Sequence, residues 1–338
     1  MAALETAGTR TKDAMSGRLG YYRRLAGLYI GYRRRRVVAA VPPLRLWVEV
    51  SSRCNLRCPA CPNKDLPSGQ KGDMGWALFK KVVDQGRTFA FEINLHHRGE
   101  TLLHPEAGRF IRYAADSGLS CRLHTNATLL QGKVAEEVLA SGLQRLSVSL
   151  DGFSAEEYER NRIGASFEQV TGNLADFLER RRRRRRKTPR LTVEVMELSP
   201  EPGDAEKRRE FARRFKRLGL DELAFKKPHN WAGYLGASGP AAPISACTFP
   251  WSALVVLFDG RVAPCPQDFF GRLPLGSASE QGLLETWNGP ALQDLRRAFA
   301  AGDLAVFPTC MACDRIRRPT LGGVPREYLR RLVRKRMP

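Results

Sequence analysis

Three closely spaced cysteines, Cys54, Cys58 and Cys61, stand in the run Glu49-Val50-Ser51-Ser52-Arg53-Cys54-Asn55-Leu56-Arg57-Cys58-Pro59-Ala60-Cys61-Pro62. The spacing C-x3-C-x2-C lets one loop wrap three thiolates around a single inorganic cluster. Three ligands to a four-iron cluster leave one iron open, and an open iron can bind a substrate or cosubstrate. A zinc knuckle is the plainer reading of clustered cysteines. Structural zinc, however, is closed by four ligands, and no fourth Cys or His lies close behind Cys61. Iron–sulfur chemistry is the expectation.

A second group, Cys247, Cys265, Cys310 and Cys313, has the spacing C-x17-C-x44-C-x2-C, with Trp251, Asp259-Gly260 and Trp287 interspersed. Four thiolates close a site completely, and by softness alone they suit zinc or an iron–sulfur cluster. Cys121 joins neither group. Its plain reading is a buried thiol at the start of a strand.

These groups must be positioned by a scaffold. Strands are expected at Leu44–Val50, Phe91–His96, Ser120–Thr125, Arg145–Leu150, Leu191–Met196 and Glu222–Lys226. Between them helical spacing runs over Trp76–Gly86, Pro105–Gly118, Gln131–Ser141, Phe167–Arg186 and Ala205–Leu218. Strands alternating with helices of this length predict parallel βα units. Six units are too few for an eight-stranded barrel, so the fold class is α/β, a partial (βα)6 barrel with its ligands at the carboxyl ends of the strands. The Gly-, Ala-, Ser- and Pro-rich stretch Gly233–Pro243 reads as a linker. Beyond it, Ala253–Phe258 and Arg261–Ala263 read as a β-hairpin closed by Asp259-Gly260, and a helix is expected over about 282–300.

The Cys54 loop makes the chain resemble the radical S-adenosylmethionine (SAM) superfamily, in which the open iron of a 4Fe-4S cluster holds the amino and carboxylate groups of SAM. The resemblance implies roles for further residues, each at a strand's carboxyl end. Arg98-Gly99-Glu100 resembles the family's Gly-Gly-Glu segment and makes Glu100 the contact to the SAM amino group, with Arg98 replacing the first Gly. Thr125-Asn126-Ala127 stands where Thr-Asn-Gly is frequent and points to Asn126. Ser149 and Asp151, in Ser149-Leu150-Asp151-Gly152, would reach the SAM ribose or carboxylate. Arg162 resembles an arginine that pairs with the SAM carboxylate, a partner that suits a guanidinium fork. Ala60 departs from the family's preference for a bulky residue there, which reads as tuning.

The downstream cysteines resemble the short SPASM, or twitch, module, which carries an auxiliary 4Fe-4S cluster. The resemblance is to members that dehydrogenate or epimerise aminocyclitols and sugars. It implies an oxidoreductase that cleaves SAM to a 5′-deoxyadenosyl radical and takes hydrogen from a small polar substrate. A flavodoxin- or ferredoxin-type donor would supply the first electron, and the auxiliary cluster would accept one during dehydrogenation. The alternatives are an epimerase with Cys121 as hydrogen donor, a peptide-modifying maturase, and, outside enzymes, a zinc- and RNA-binding module. Asp268 is read as a substrate contact beside Gln267. One of His96, His97, His104 and His124 is expected as a base for the substrate hydroxyl, and either His124 or Thr125 faces the barrel, not both.

The net charge of +21 is concentrated. Residues 1–46, 180–187 and 315–336 each carry a net +8, which leaves the rest of the chain at −3. The organisation expected is therefore a basic N-terminal extension (1–43), the barrel (44–230), the auxiliary module (231–315) and a basic tail (316–338). Tyr21-Tyr22-Arg23-Arg24 and Tyr32–Arg36 suit either RNA phosphates or an anionic membrane surface, although neither partner is favoured. Arg180–Arg186 is expected to be a solvated, self-repelling helix end. No apolar run approaches the ~18–20 residues of a membrane span, no secretory core is read, and the cytoplasm is the expected compartment.

Overall fold

The computed structural model describes residues 18–198, 204–236, 247–321 and 324–326. Six parallel strands, β1 (Arg45–Val48), β2 (Glu92–Asn94), β3 (Ser120–Thr125), β4 (Arg145–Ser149), β5 (Arg190–Met196) and β6 (Glu222–Lys226), pair in sequence order. Helices α2 (Trp76–Gly86), α3 (Ala107–Asp116), α4 (Gly132–Ala140), α5 (Ala155–Asn161), α6 (Phe167–Arg183) and α7 (Asp204–Arg217) fill the crossovers. This is the expected sequence of βα units.

Strand alternation sorts the side chains onto two faces. Leu46, Val48, Ile93, Cys121, Leu123, Leu146, Val148, Leu191 and Val193 are all at most 1% exposed and build the core under the helices. The opposite face, which lines the barrel, is polar. Arg45 and Arg122 both pair with Glu92 there, at 2.6 and 2.8 Å. A lumen lined this way is built to hold something polar.

Downstream of β6 the hairpin forms as expected: β7 (Ala253–Val256) runs antiparallel to β8 (Arg261–Ala263), with Gly260 at φ +91° in the turn. Its attachment was not foreseen. β7 pairs in parallel with β1 over four residues, so the small antiparallel strands extend the barrel sheet in the order β6-β5-β4-β3-β2-β1-β7-β8-β9, with β9 at Gly276–Ser277. The expected helix over 282–300 is two, α8 (Leu283–Trp287) and α9 (Pro290–Ala301), because Pro290 starts a new helix at its first turn. A further short helix, α10 (Pro308–Met311), carries Cys310.

The basic extension also differs from expectation. Arg18–Arg33 is a helix, α1, docked across the amino ends of the strands. Tyr21 stacks edge-on to Phe91 (5.4 Å), Arg24 donates to the carbonyls of Pro42 and Phe89 (both 3.2 Å), and Tyr32 meets Trp251 (5.7 Å). It covers the end opposite the cysteine loop. The arginine run is likewise not self-repelling. Arg180 and Arg184 pair with Glu136, Arg182 and Arg183 with Glu179, and the buried Arg181 with Asp221. Most of the 233–243 linker and of the tail beyond 326 lies outside the described residues. No helix among the described residues is long and apolar enough to cross a membrane.

Candidate active site

The cysteine loop leaves β1 at the carboxyl end of the sheet. The backbone N–H of Cys61 closes a turn on the Cys58 carbonyl at 3.0 Å. Asn126 pins the loop from outside: its amide donates to Asn55 Oδ1 (3.0 Å), while its own oxygen accepts from the N–H and hydroxyl of Thr128. Asn126 thus holds the loop between Cys54 and Leu56, a positioning task the sequence did not reveal. Burial pushes the Cys54 and Cys61 thiols up to about 12 and about 11 and raises Cys58. Three partly shielded thiols on one short loop, with little of the protein's own charge to stabilise their anions, fit the ligand set of a cluster whose positive charge would do so.

Glu100 stands beside them, 3% exposed. Its carboxylate accepts from Thr125 Oγ1 (2.9 Å) and from the backbone N–H groups of Asn126 (2.7 Å) and Leu102 (3.1 Å). Burial raises its pKa and these bonds counter the rise. Gly99 before it has no room for a side chain, since a Cβ would lie 2.4 Å from the Arg53 carbonyl oxygen and 2.5 Å from that of Ser51. Arg98 fills its place with a purpose. Its guanidinium forks onto Glu49, with Nε and Nη2 each 2.6 Å from a carboxylate oxygen, and both side chains are 0% exposed. Glu49 also accepts from the Phe258 N–H (3.1 Å), so this pair ties the ends of β1, β2 and β7 together.

Arg162 is forked onto Asp151 through Nε (2.7 Å) and Nη2 (2.6 Å), and its Nη1 lies 4.0 Å from Cys58 Sγ. Asp151 in turn accepts from the Met196 N–H (2.9 Å). The arginine faces the cysteine loop, and Asp151 orients it from behind. Ser149 has a protein partner that the sequence did not indicate. Its hydroxyl sits 2.6 Å from His124 Nε2 inside the lumen. There His124 Nδ1 lies 3.8 Å from Glu194 Oε2, Glu194 is paired with Lys226, and the His96 and His124 rings are 5.4 Å apart. Glu194 and Lys226 escaped sequence reading, although a glutamate alternating with buried Val193 and Val195 on a strand was the available signal.

Of the grouped histidines, His96 and His124 share the lumen. His97 packs on Phe269 (5.9 Å), and His104 sits 3.3 Å from the Met74 carbonyl. His124 faces the lumen and Thr125 the other side, the alternation expected. Cys121 also points away from the lumen into the apolar core, fully buried, so its position gives no support to a hydrogen-donor role. Asp268 is no free substrate contact either: its two oxygens accept the N–H groups of Arg272 and Leu273 at 2.8 Å each.

Cys247, Cys265, Cys310 and Cys313 line one apolar cavity together with Phe249, Pro250, Leu295, Phe299 and Ile316. Burial raises all four thiols, Cys313 to about 12. An apolar pocket lined by four thiols suits a fully ligated cluster. A strap joins the two cysteine sets. Trp231 Nε1 donates to the Ala60 carbonyl (3.0 Å), between Cys58 and Cys61, and Asn230 Nδ2 donates to the Ala312 carbonyl (2.8 Å), between Cys310 and Cys313.

Burial also depresses His97 and His229 to about 3 and His124 to about 4. These groups are neutral in the fold, whereas their unfolded counterparts take protons below about 6.5. Stability is therefore whole above pH 6.5 and falls as acid brings the pH down toward 4. The loss amounts to on the order of 1–3 kcal/mol per histidine. Denaturant midpoints measured from pH 7.5 to 4.5 should drop steadily below 6.5, and a flat profile would contradict the burial.

Residues 48–221 match the family model of the Radical SAM superfamily, and residues 247–314 match an iron-sulfur cluster-binding domain. An S-adenosyl-L-methionine-dependent 2-deoxy-scyllo-inosamine dehydrogenase of Niallia circulans is 23% identical over 273 residues, 80% of this chain and 92% of that protein. An AdoMet-dependent heme synthase of Methanosarcina barkeri is 34% identical over 142 residues, and the match spans only 40% of that protein's length. The solved structure of BtrN in complex with AdoMet and 2-DOIA superposes with a TM-score of 0.57 at 21% identity, over 81% of this chain and 94% of that one, which is a likeness of fold.

Proposed function

The chain belongs to the radical SAM superfamily, and from that premise we propose that it dehydrogenates a small polyhydroxylated substrate of the sugar or aminocyclitol kind. It is a radical SAM enzyme with an auxiliary iron–sulfur domain, so its cofactors are SAM and two 4Fe-4S clusters. The Cys54 loop would hold one cluster and the 247/265/310/313 cavity the other; together with SAM they supply a hydrogen-abstracting 5′-deoxyadenosyl radical and a place for one electron. Glu100 takes the amino group of SAM and Arg162, kept in line by Asp151, its carboxylate. Asn126 holds the loop. A flavodoxin- or ferredoxin-type protein of the cytoplasm delivers the initiating electron.

The observation that carries this reading is the attachment of the four-cysteine cavity to the cysteine loop through the β1–β7 pairing and the Trp231–Asn230 strap. A fully ligated centre fixed beside the mouth of the barrel suits removal of an electron from a substrate. The relative that dehydrogenates 2-deoxy-scyllo-inosamine, similar over most of both chains, supports the same class. With Cys121 turned into the core, every remaining cysteine belongs to one of the two sets, and none is left to return hydrogen from the opposite face.

The test is anaerobic reconstitution followed by incubation with dithionite, SAM and 2-deoxy-scyllo-inosamine. Roughly eight irons per chain, 5′-deoxyadenosine, and a product lighter by two hydrogens are expected. An isomeric product carrying solvent deuterium would overturn dehydrogenation.

A further inference from the structure

We propose that Ser149, His124 and Glu194 form a proton relay in the barrel lumen that removes the hydroxyl proton of a neutral polyol seated against His96 and Lys226. The relay rests on the dehydrogenation reading, whereas the polyol site does not.

The three side chains come from adjacent parallel strands and face the same side of the sheet. Ser149 is directly opposite Glu194 in the β4–β5 register, and His124 is opposite Ser147 in the β3–β4 register. The hydroxyl-to-imidazole contact of 2.6 Å is a hydrogen bond. The 3.8 Å from the far imidazole nitrogen to Glu194 is too long for one. It is the spacing at which a carboxylate steadies an imidazolium once that forms. Glu194 is held for the task, because Lys226 pairs with it and Ser147 donates to it at 3.2 Å.

The groups surrounding His124 are Glu194, Lys226, His96, Ser149, Arg162 and Asp151. Burial outweighs the carboxylates and pushes the imidazole down to about 4, so it is unprotonated at neutral pH, and the nearby Glu194 carboxylate is what would steady the imidazolium when it forms. The patch stays reachable, with His124, Glu194 and Lys226 side chains 27%, 16% and 36% exposed.

The class of ligand follows from what the patch lacks. Glu194 with Lys226, and Arg162 with Asp151, cancel in charge, and His96, His124 and Ser149 are neutral donors and acceptors. His96 Nδ1 is buried with no hydrogen-bond partner, and such a group is ordinarily satisfied. A hydroxyl-studded neutral ring offers the missing partner without adding charge beside the Glu194–Lys226 pair.

The step balances as follows. After the hydrogen on carbon has gone to 5′-deoxyadenosine, the substrate O–H bond breaks and its proton goes to the Ser149 oxygen. The Ser149 proton passes to His124 Nε2, and the carbon–oxygen bond becomes a carbonyl. The one electron left over would go to the 4Fe-4S cluster that Cys247, Cys265, Cys310 and Cys313 would hold, the acceptor named above.

The experiment uses cluster-loaded enzyme with the neutral polyols myo-inositol and scyllo-inositol as probes. Calorimetric titration should show binding of at least one probe that weakens by at least about tenfold in His96→Phe. In His124→Gln the ketone formed per 5′-deoxyadenosine should fall about 100-fold, the usual contribution of a general base, with a smaller fall in Glu194→Gln. The wild-type ratio should decline as pH approaches the range where His124 protonates, and the His124→Gln ratio should be flat. An unchanged ratio in His124→Gln overturns the relay. Failure of both probes to bind the wild type overturns the polyol site. Probe binding lost in His96→Phe, with an isomer in place of a ketone, upholds the site and overturns dehydrogenation together with the relay that rests on it.

Discussion

Replacing any one of Cys54, Cys58 or Cys61 by alanine should abolish 5′-deoxyadenosine release and remove about half of the bound iron. The effect is expected to be total because the loop offers three thiols and no spare ligand: Asn55 is engaged by Asn126 and Thr128, and Arg57 and Cys61 are fixed by backbone bonds to Ile163 and Cys58. Two thiolates do not retain a cluster that three hold with one iron open. Iron should fall from roughly eight to roughly four per chain, because the second cysteine set lies in a cavity of its own. Cys121→Ala is the control, and its iron and release should match wild type. Release at the wild-type level from Cys58→Ala would disprove the assignment of the loop.

Arg98→Ala should lower the unfolding free energy by about 3–5 kcal/mol, because it strands the Glu49 carboxylate in a place with no water. Surface pairs of this chain, such as Lys80 with Asp84, are screened by water and contribute little. The Arg98–Glu49 fork differs because both side chains are fully buried and one carboxylate serves three strand ends. The double replacement Glu49→Gln with Arg98→Met removes the lone charge and should recover much of the loss. Denaturant midpoints of the wild type and the two variants decide it, and a single-variant loss below about 1 kcal/mol would show that the charge finds water.

The parts legible in the sequence were those written locally. The cysteine spacings, the alternation of strands and helices, and the Asp259-Gly260 turn each sit within a short window. Helix α5 was legible too and was passed over: Ser154 accepts the Glu157 N–H while the Glu157 carboxylate accepts that of Phe153, a pattern visible as Ser-x-x-Glu. What escaped depends on distant partners. The parallel pairing of β7 with β1 joins residues some two hundred positions apart, and no local signal marks it. The same holds for Arg98, which reads as a departure from a family pattern until Glu49 is found beneath it. Ser149 shows the same limit, since its place at a strand end suggested a cosubstrate contact and gave no sign of its hydrogen bond to His124 on the neighbouring strand. Helix α1 interleaves aromatics with arginines without one apolar stripe, so periodicity gave no signal for it.

The Trp231–Asn230 strap has a consequence for electron transfer. Tunnelling between two redox centres weakens steeply with every added ångström, so a pair of centres joined by a flexible tether would show a spread of rates. Here the gap is set by strand register and by two hydrogen bonds to the carbonyls of Ala60 and Ala312. Under the proposed two-cluster scheme the separation that governs electron transfer would be a mechanical dimension of the fold, and Trp231→Phe would remove one of the two hydrogen bonds that hold it.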